Sequence, residues 1–184
     1  MAKLVSGTYA QALFDAAMES GPARAGELME EILGIRKILE QNPGFDSLMK
    51  HPAIPKQEKV RVVKDVFFGR ISDELERFLE IIVSKERYRD LDAIFTCYID
   101  KVKEQRRIGV ACVTTAVELT VGQKNAVEAR LLETSGCREM EMHYSVEPDI
   151  IGGMIIRMNG RVVDSSIRTK LDGLTKQLLQ IQLG

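Results

Sequence analysis

The sequence predicts an α+β protein in which a six-helix bundle over residues 1–105 is followed by a smaller α/β domain over residues 106–184. In the first half, apolar residues recur at spacings of three and four, which is typical of helices that bury one face. From Ile108 onward, apolar residues alternate at period two, which is typical of a strand. Asn159-Gly160 then separates two apolar runs and is the strongest short hairpin signal.

Proline and glycine divide the helical half into segments. An apolar stripe from Val5 to Ala17 predicts a first helix that ends before Gly21-Pro22. A second stripe from Leu28 to Leu39 ends before Asn42-Pro43-Gly44. A short helix around Leu48-Met49 follows.

Three further helices complete the predicted bundle. Pro55 suits the first position of a helix, because the N–H that proline lacks would have no partner within the helix there. Gly69 ends that segment. Ser72 is placed to cap the fifth helix, and the sixth carries apolar positions from Tyr88 to Val102. We therefore predict five long helices and one short helix.

The second half predicts the order β-α-β-β-β-α. In the first strand we expect the inward face to consist of Ile108, Val110, Cys112 and Thr114. Thr120 and Gln123 have the spacing of a capping box, and Gly136 ends the helix that they begin. The three remaining strands are predicted at residues 140–146, 154–158 and 161–163.

A final helix follows the last strand. Either Asp164 or Ser165 is placed to cap it. Its apolar positions step at helical spacing and are Ile167, Leu171, Leu174, Leu178 and Ile181. From the sequence alone, packing of this face against the sheet is favoured over contact with a partner.

Composition and charge exclude several classes of protein. Of the 184 residues, 45% are hydrophobic and 29% charged, which is ordinary for a folded globular protein. The 26 basic and 27 acidic residues nearly cancel, so the basic surface that nucleic-acid binding requires is not expected. Three cysteines far apart in the sequence argue against a disulfide framework.

The N-terminus and the apolar runs bear on location. Met1 leads directly into an amphipathic pattern that contains Asp15 and Glu19, unlike a signal or transit peptide. The longest apolar runs are a few residues, whereas a membrane-spanning helix needs about 20. We expect a bacterial protein whose membrane association is indirect, and an organelle-encoded protein would share these features.

The chain offers no constellation of catalytic residues that we can recognise, and we expect no enzyme activity, cofactor or metal. Neither a GxxxxGK[ST] nor a GxGxxG motif is present, and Gly152-Gly153 is interpreted as a sharp bend. The two histidines, His51 and His143, have no nearby cysteine or histidine at ligand spacing. Cys97 and Cys112 are interpreted as core residues.

Motifs along the whole chain carry a resemblance to a known family. In the first half these are Tyr9-Ala10-Gln11-Ala12-Leu13-Phe14, the Pro-bounded turn His51-Pro52-Ala53-Ile54-Pro55, and Glu86-Arg87-Tyr88. The second half contributes the run from Asp149 to Arg157, with its Gly-Gly pair, and Val163-Asp164-Ser165-Ser166. In this order they resemble the delta subunit of F-type ATP synthase, the family of the mitochondrial oligomycin-sensitivity-conferring protein. Ser165 and Lys85-Glu86 depart from the family's usual residues.

The resemblance implies a non-catalytic stator subunit that resists rotor torque during proton-driven ATP synthesis. It implies that the helical bundle binds the N-terminal helix of one alpha subunit in a groove between its first and fifth helices. It also implies that the C-terminal domain holds the b-type subunits of the peripheral stalk. We expect a monomer in isolation, located through the complex at the cytoplasmic face of the membrane.

Residues for both contacts are proposed on the basis of this implied architecture. The candidates for the groove are Tyr9, Leu13, Phe14, Phe78, Ile81 and Ile82, each of which is equally suited to the bundle core. The candidates for the stalk contact are Leu171, Leu174 and Leu178.

Two other functions remain open at this point. One is a nucleotide-binding regulator that uses the α/β domain, with the helical half as an oligomerisation module, and nucleotide titration discriminates it. The other is an RNA-binding α/β module, which the near-neutral charge opposes.

Overall fold

The computed structural model describes the chain from residue 2 to residue 182, and its side chains from residue 5 to residue 177. The protein is α+β, as the sequence predicts. It divides into two compact units, Met1–Val102 and Lys103–Gly184. In the part that the structure describes, the first unit is helical and the second contains the sheet.

Among the described residues, the first unit contains five α-helices, one turn of 3₁₀-helix and most of a sixth α-helix, whose last four residues belong to the second unit. The five long helices and one short helix predicted from the sequence are confirmed. Their bounds are α1 Ala2–Glu19, α2 Pro22–Gln41, α3 Pro43–Lys50, α4 Lys56–Phe67, α5 Asp73–Ser84 and α6 Leu91–Arg106, with the 3₁₀ turn at Tyr88–Asp90.

Two of the predicted helix starts differ in detail. Pro55 precedes α4 as its N-cap and is not its first helical residue. Ser72 is the N-cap of α5, but its side chain makes no capping bond. Instead the Ser72 hydroxyl and backbone N–H both donate to the Glu31 carboxylate, at 2.8 and 2.9 Å. A capping bond would require the Ser72 oxygen to accept an N–H of α5, whereas here the hydroxyl donates to a charged acceptor on α2.

The apolar stripes of these helices form the core of the first unit. Tyr98, Phe95, Leu28 and Ile32 are fully buried. The Tyr98 hydroxyl donates to a backbone carbonyl of α2 at 3.0 Å, which satisfies a polar group that burial removes from water. Phe14 meets the Tyr98 ring edge-on, with ring centroids 6.3 Å apart, so α1 and α6 pack together.

The second unit has the predicted order β-α-β-β-β-α. Its elements are β1 Ile108–Thr115, α7 Val121–Ser135, β2 Glu139–Val146, β3 Met154–Met158, β4 Arg161–Asp164 and α8 Ile167–Gln182, with a 3₁₀ turn at Pro148–Ile150. The sheet order is β2-β1-β3-β4, in which β1 is parallel to β2 and antiparallel to β3. A parallel pair needs a crossover connection, and α7 provides it.

The inward face predicted for β1 is wrong. Ala111 and Val113 are fully buried, whereas Cys112 is exposed. The register pairs Val113 with Tyr144, whose hydroxyl donates to a carbonyl of α7 at 3.2 Å, so α7 covers this face. Period-two alternation identifies a strand but leaves open which of its two faces the helix covers.

The turn that follows β4 corrects the predicted cap of α8. The Ser166 hydroxyl accepts the Thr169 N–H at 3.2 Å, so Ser166 is the cap, in place of Asp164 or Ser165. The Asp164 carboxylate accepts the Ser166 N–H at 2.8 Å and supports the turn. Gly153 has a φ of 77°, as expected of the predicted glycine bend.

Candidate partner-binding surfaces

Charged groups hold α5 against its neighbours. The Arg24 guanidinium of α2 bonds Glu27 at 2.9 Å and Glu74 of α5 at 2.7 Å. These bonds, first to Glu27 and then to Glu74, raise the pKa of Arg24. On the other side, Lys64 of α4 lies 3.0 Å from Glu80. Helix α5 therefore forms ion pairs with both α2 and α4.

The structure places half of the predicted groove residues inside the bundle. Leu13, Phe78 and Ile82 are at most 7% exposed and belong to the apolar core of the first unit. Their role in the fold is thus the packing of the bundle, because a partner has no access to them while the unit is folded.

The other three groove candidates reach the surface to different degrees. Tyr9 and Phe14 are partly buried against the core, and Ile81 is 49% exposed. On α1, Ala12 and Ala16 are exposed, and their small side chains allow another backbone to approach closely. Contact between these residues and a partner stays a prediction.

The two described leucines of the apolar face of α8 are not buried against the sheet. Leu171 and Leu174 are 48% and 56% exposed, so the packing favoured from sequence is wrong for these two residues. The side chain of Leu178 lies outside the described residues. The helix is anchored by its first turn, where Ser166 is buried and Ile167 packs over Gly152. We call Leu171 and Leu174 the α8 face.

More apolar surface lies on β4, which the sequence did not single out. Val162 and Val163 are about 60% exposed, as is Ile151 before β3. Two adjacent strand residues point to opposite faces, so exposure of both means that the described residues leave both faces of the sheet uncovered here. The only feature that could have predicted the exposure of Val162 and Val163 is their position on a four-residue edge strand.

The open face of the sheet carries polar groups without a catalytic arrangement. Lys103 donates to Glu141, and this bond is the main cause that lowers the pKa of Glu141. His143 lies 3.0 Å from the same carboxylate and beside Cys112 in the register. Among the described residues, no group of three or more His, Cys, Asp or Glu side chains is placed to hold a metal ion.

The helices were also searched for a membrane span. Within the described part of the chain, none combines the length and the apolar composition that crossing a bilayer requires.

Comparisons with known proteins give a consistent match over both units. The family described as "ATP synthase delta (OSCP) subunit" matches residues 5–178. The protein named "ATP synthase subunit delta" of Lachnoclostridium phytofermentans is 45% identical to this chain over 184 residues, and the match covers 100% of both chains. The protein of the same name from Alkaliphilus oremlandii is 33% identical to this chain over 181 residues, and the match covers 98% of this chain and 99% of the relative.

A solved structure has the same fold. It is a chain of the Toxoplasma gondii mitochondrial ATP synthase hexamer, with a TM-score of 0.74 and 21% sequence identity. The likeness covers 95% of this chain and 97% of that chain.

Proposed function

The chain belongs to the ATP synthase delta (OSCP) family, and from this membership we propose how its two units work in the complex. It is a non-catalytic stator component in the peripheral stalk of an F-type ATP synthase. The observation that carries this function is the match over residues 5–178, which includes nearly all of both units.

The first unit binds the N-terminal helix of an alpha subunit of the catalytic head. An amphipathic helix docks by placing apolar anchors into an apolar surface. Ile81 offers such a surface on α5, and Tyr9 and Phe14 on α1 are partly accessible. The exposed Ala12 and Ala16 leave room for a second helix beside α1.

The second unit binds the b-type subunits of the peripheral stalk. The α8 face supports this assignment, because its two leucines are exposed in the isolated chain. Exposed apolar residues in succession on one helix mark a contact surface. The relatives include bacterial proteins, and we place this chain at the cytoplasmic side of the cell membrane, held there through the complex.

The contact to the head is tested by calorimetric titration of the full chain with a synthetic peptide of the alpha subunit's N-terminal helix. Ile81→Asp should weaken binding at least about tenfold, because it puts a charge into an apolar contact; this corresponds to about 1.4 kcal/mol. Ile38→Asp is the matched control, because Ile38 is an isoleucine of the same exposure, 48%, on α2.

Equal loss of binding in both variants would contradict the placement of the contact at Ile81. Phe78→Asp would give no clean answer, because Phe78 is 7% exposed and a buried charge there would unfold the bundle.

A further inference from the structure

A cleft of about 330 Å³ opens in the first unit, between the α3–α4 connection and the segment that joins α5 to α6. Its walls combine two kinds of side chain. The apolar part consists of Met49, Pro52, Ile54, Val83 and the ring of Tyr88. The charged rim consists of Lys50, Lys56, Lys59 and Arg89, with Glu86 as the one carboxylate.

The cations on this rim are only partly neutralised. Lys50 pairs with Asp46 at 2.6 Å. Lys59 donates to the backbone carbonyl of His51 at 2.7 Å, and a neutral acceptor leaves its charge uncompensated. Among the described residues, neither Lys56 nor Arg89 forms an ion pair with a carboxylate. A concave site in which cations outnumber carboxylates attracts anions.

Local hydrogen bonds hold the loop side of the cleft in place. The His51 imidazole accepts the Ala53 N–H at 3.2 Å, and the Lys59 ammonium closes over the His51 carbonyl. The cleft is therefore formed before any ligand arrives, which lowers the ordering cost of binding.

Tyr88 lines the cleft and also belongs to the bundle core. Its side chain is 8% exposed, and its ring meets Phe45 edge-on at 6.5 Å. Its hydroxyl is buried and has no hydrogen-bond partner in the described part of the chain. Burial first, and then the neighbouring Asp46 carboxylate, raise the pKa of Tyr88. A ligand in the cleft has no access to this hydroxyl while the unit is folded, so the site depends on the cations of its rim.

We propose that this cleft binds a small molecule that carries a phosphate or carboxylate group on an apolar body. Lys56 and Arg89 hold the anion, and the apolar side chains of Pro52 and Ile54, which reach the surface, contact the body. The volume lies at the lower end of small-molecule pockets, which span roughly 300–1,000 Å³. No residue of this cleft belongs to the surfaces assigned above to the alpha helix or the stalk.

The test uses the full chain labelled for amide NMR and four probes. Phenyl phosphate and benzoate carry an anion on an apolar ring, inorganic phosphate lacks the ring, and phenol lacks the charge. The proposal predicts saturable shifts at residues 51–59 and 86–89 with phenyl phosphate or benzoate, and the stronger of the two identifies the anion. Inorganic phosphate and phenol should bind at least about tenfold more weakly. The absence of saturable shifts with both ring-bearing anions would overturn the proposal.

Charge variants distinguish binding in this cleft from nonspecific attraction of anions to the protein surface. Lys56→Gln combined with Arg89→Gln should raise Kd at least about tenfold. The control is Arg61→Gln, because Arg61 is an exposed cation on the same helix as Lys56 but does not line the cleft. Equal weakening in both proteins would contradict a specific site. So would tight binding of an acidic peptide in the cleft without binding of either small anion.

Discussion

At the scale of single residues, Gly153 determines how β3 leaves the bend before it. Its φ of 77° lies in the left-handed region, which residues with a Cβ rarely adopt. A Cβ at this position would also overlap the Ser165 backbone carbonyl, and backbone cannot move aside as a flexible side chain can. Both effects act on the junction between β3 and the turn after β4.

Replacing Gly153 and Gly160 by alanine, one at a time, distinguishes backbone strain from steric overlap. Gly160 also has positive φ, 74°, but nothing lies within 4 Å of the Cβ it lacks. Gly160→Ala should therefore lower the free energy of unfolding of the second unit by about 1 kcal/mol, through backbone strain alone. Gly153→Ala should lower it by more than about 3 kcal/mol, since strain and overlap combine. Amide hydrogen exchange in β1 and β3 measures both, and equal losses would contradict the overlap.

We expect Asp164 to make the second unit sensitive to acid. Its carboxylate accepts the Ser166 N–H and the Thr169 hydroxyl, each at 2.8 Å. These hydrogen bonds, first those of Ser166, lower the pKa of Asp164. A lowered pKa stabilises the fold above the unfolded-state value, about 3.9, and this stabilisation is lost as pH falls through the folded-state value.

Asp164→Asn should therefore flatten the decline of stability below about pH 4, because the amide does not titrate. Urea denaturation at a series of pH values measures the effect. Asp172→Asn, an exposed carboxylate on α8, serves as the control. An unchanged slope in the Asp164 variant would show that the carboxylate does not contribute to acid sensitivity.

At the scale of elements, α8 is the helix most open to a partner. Every described side chain from residue 168 to residue 177 is exposed, although the helix carries an apolar face. Leu174→Asp should weaken binding of a soluble b-type stalk fragment at least about tenfold, because it puts a charge into an apolar contact. It should destabilise the free chain only by the weaker helix propensity of Asp, about 0.5 kcal/mol, because Leu174 is 56% exposed. Val117→Asp, at 71% exposure outside α8, should bind normally. Sedimentation of the labelled fragment with each variant compares them, and unchanged binding by Leu174→Asp would contradict a contact at the α8 face.

Local signals predicted the elements well, because their causes lie within a few residues. The capping box of Thr120 and Gln123 is present, and Gly136 ends α7 in the left-handed conformation. The Asn159-Gly160 hairpin joins β3 to β4. The inward face of β1 could not be predicted, because it depends on where α7 packs after crossing from β1 to β2.

At the scale of the whole molecule, the sequence predicted the α+β class and the family, whereas single contact residues were harder. Leu13 and Ile81 are both aliphatic and lie on helical stripes, but one is buried and the other exposed. Residue type alone does not separate a bundle core from a docking surface, since both need apolar side chains. Only the packed bundle distinguishes them. The assignment of head and stalk contacts to the two units stays a prediction.

The central claim is that this chain connects two other assemblies, and a bridging experiment tests it most directly. The purified catalytic head is mixed with a soluble b-type stalk fragment, with and without the chain, and the head is sedimented. The account predicts that the stalk fragment sediments with the head only when the chain is present, and that Ile81→Asp abolishes this bridging while Ile38→Asp preserves it. Equal sedimentation of the fragment without the chain, or binding of the chain to only one of the two partners, would contradict the connector function.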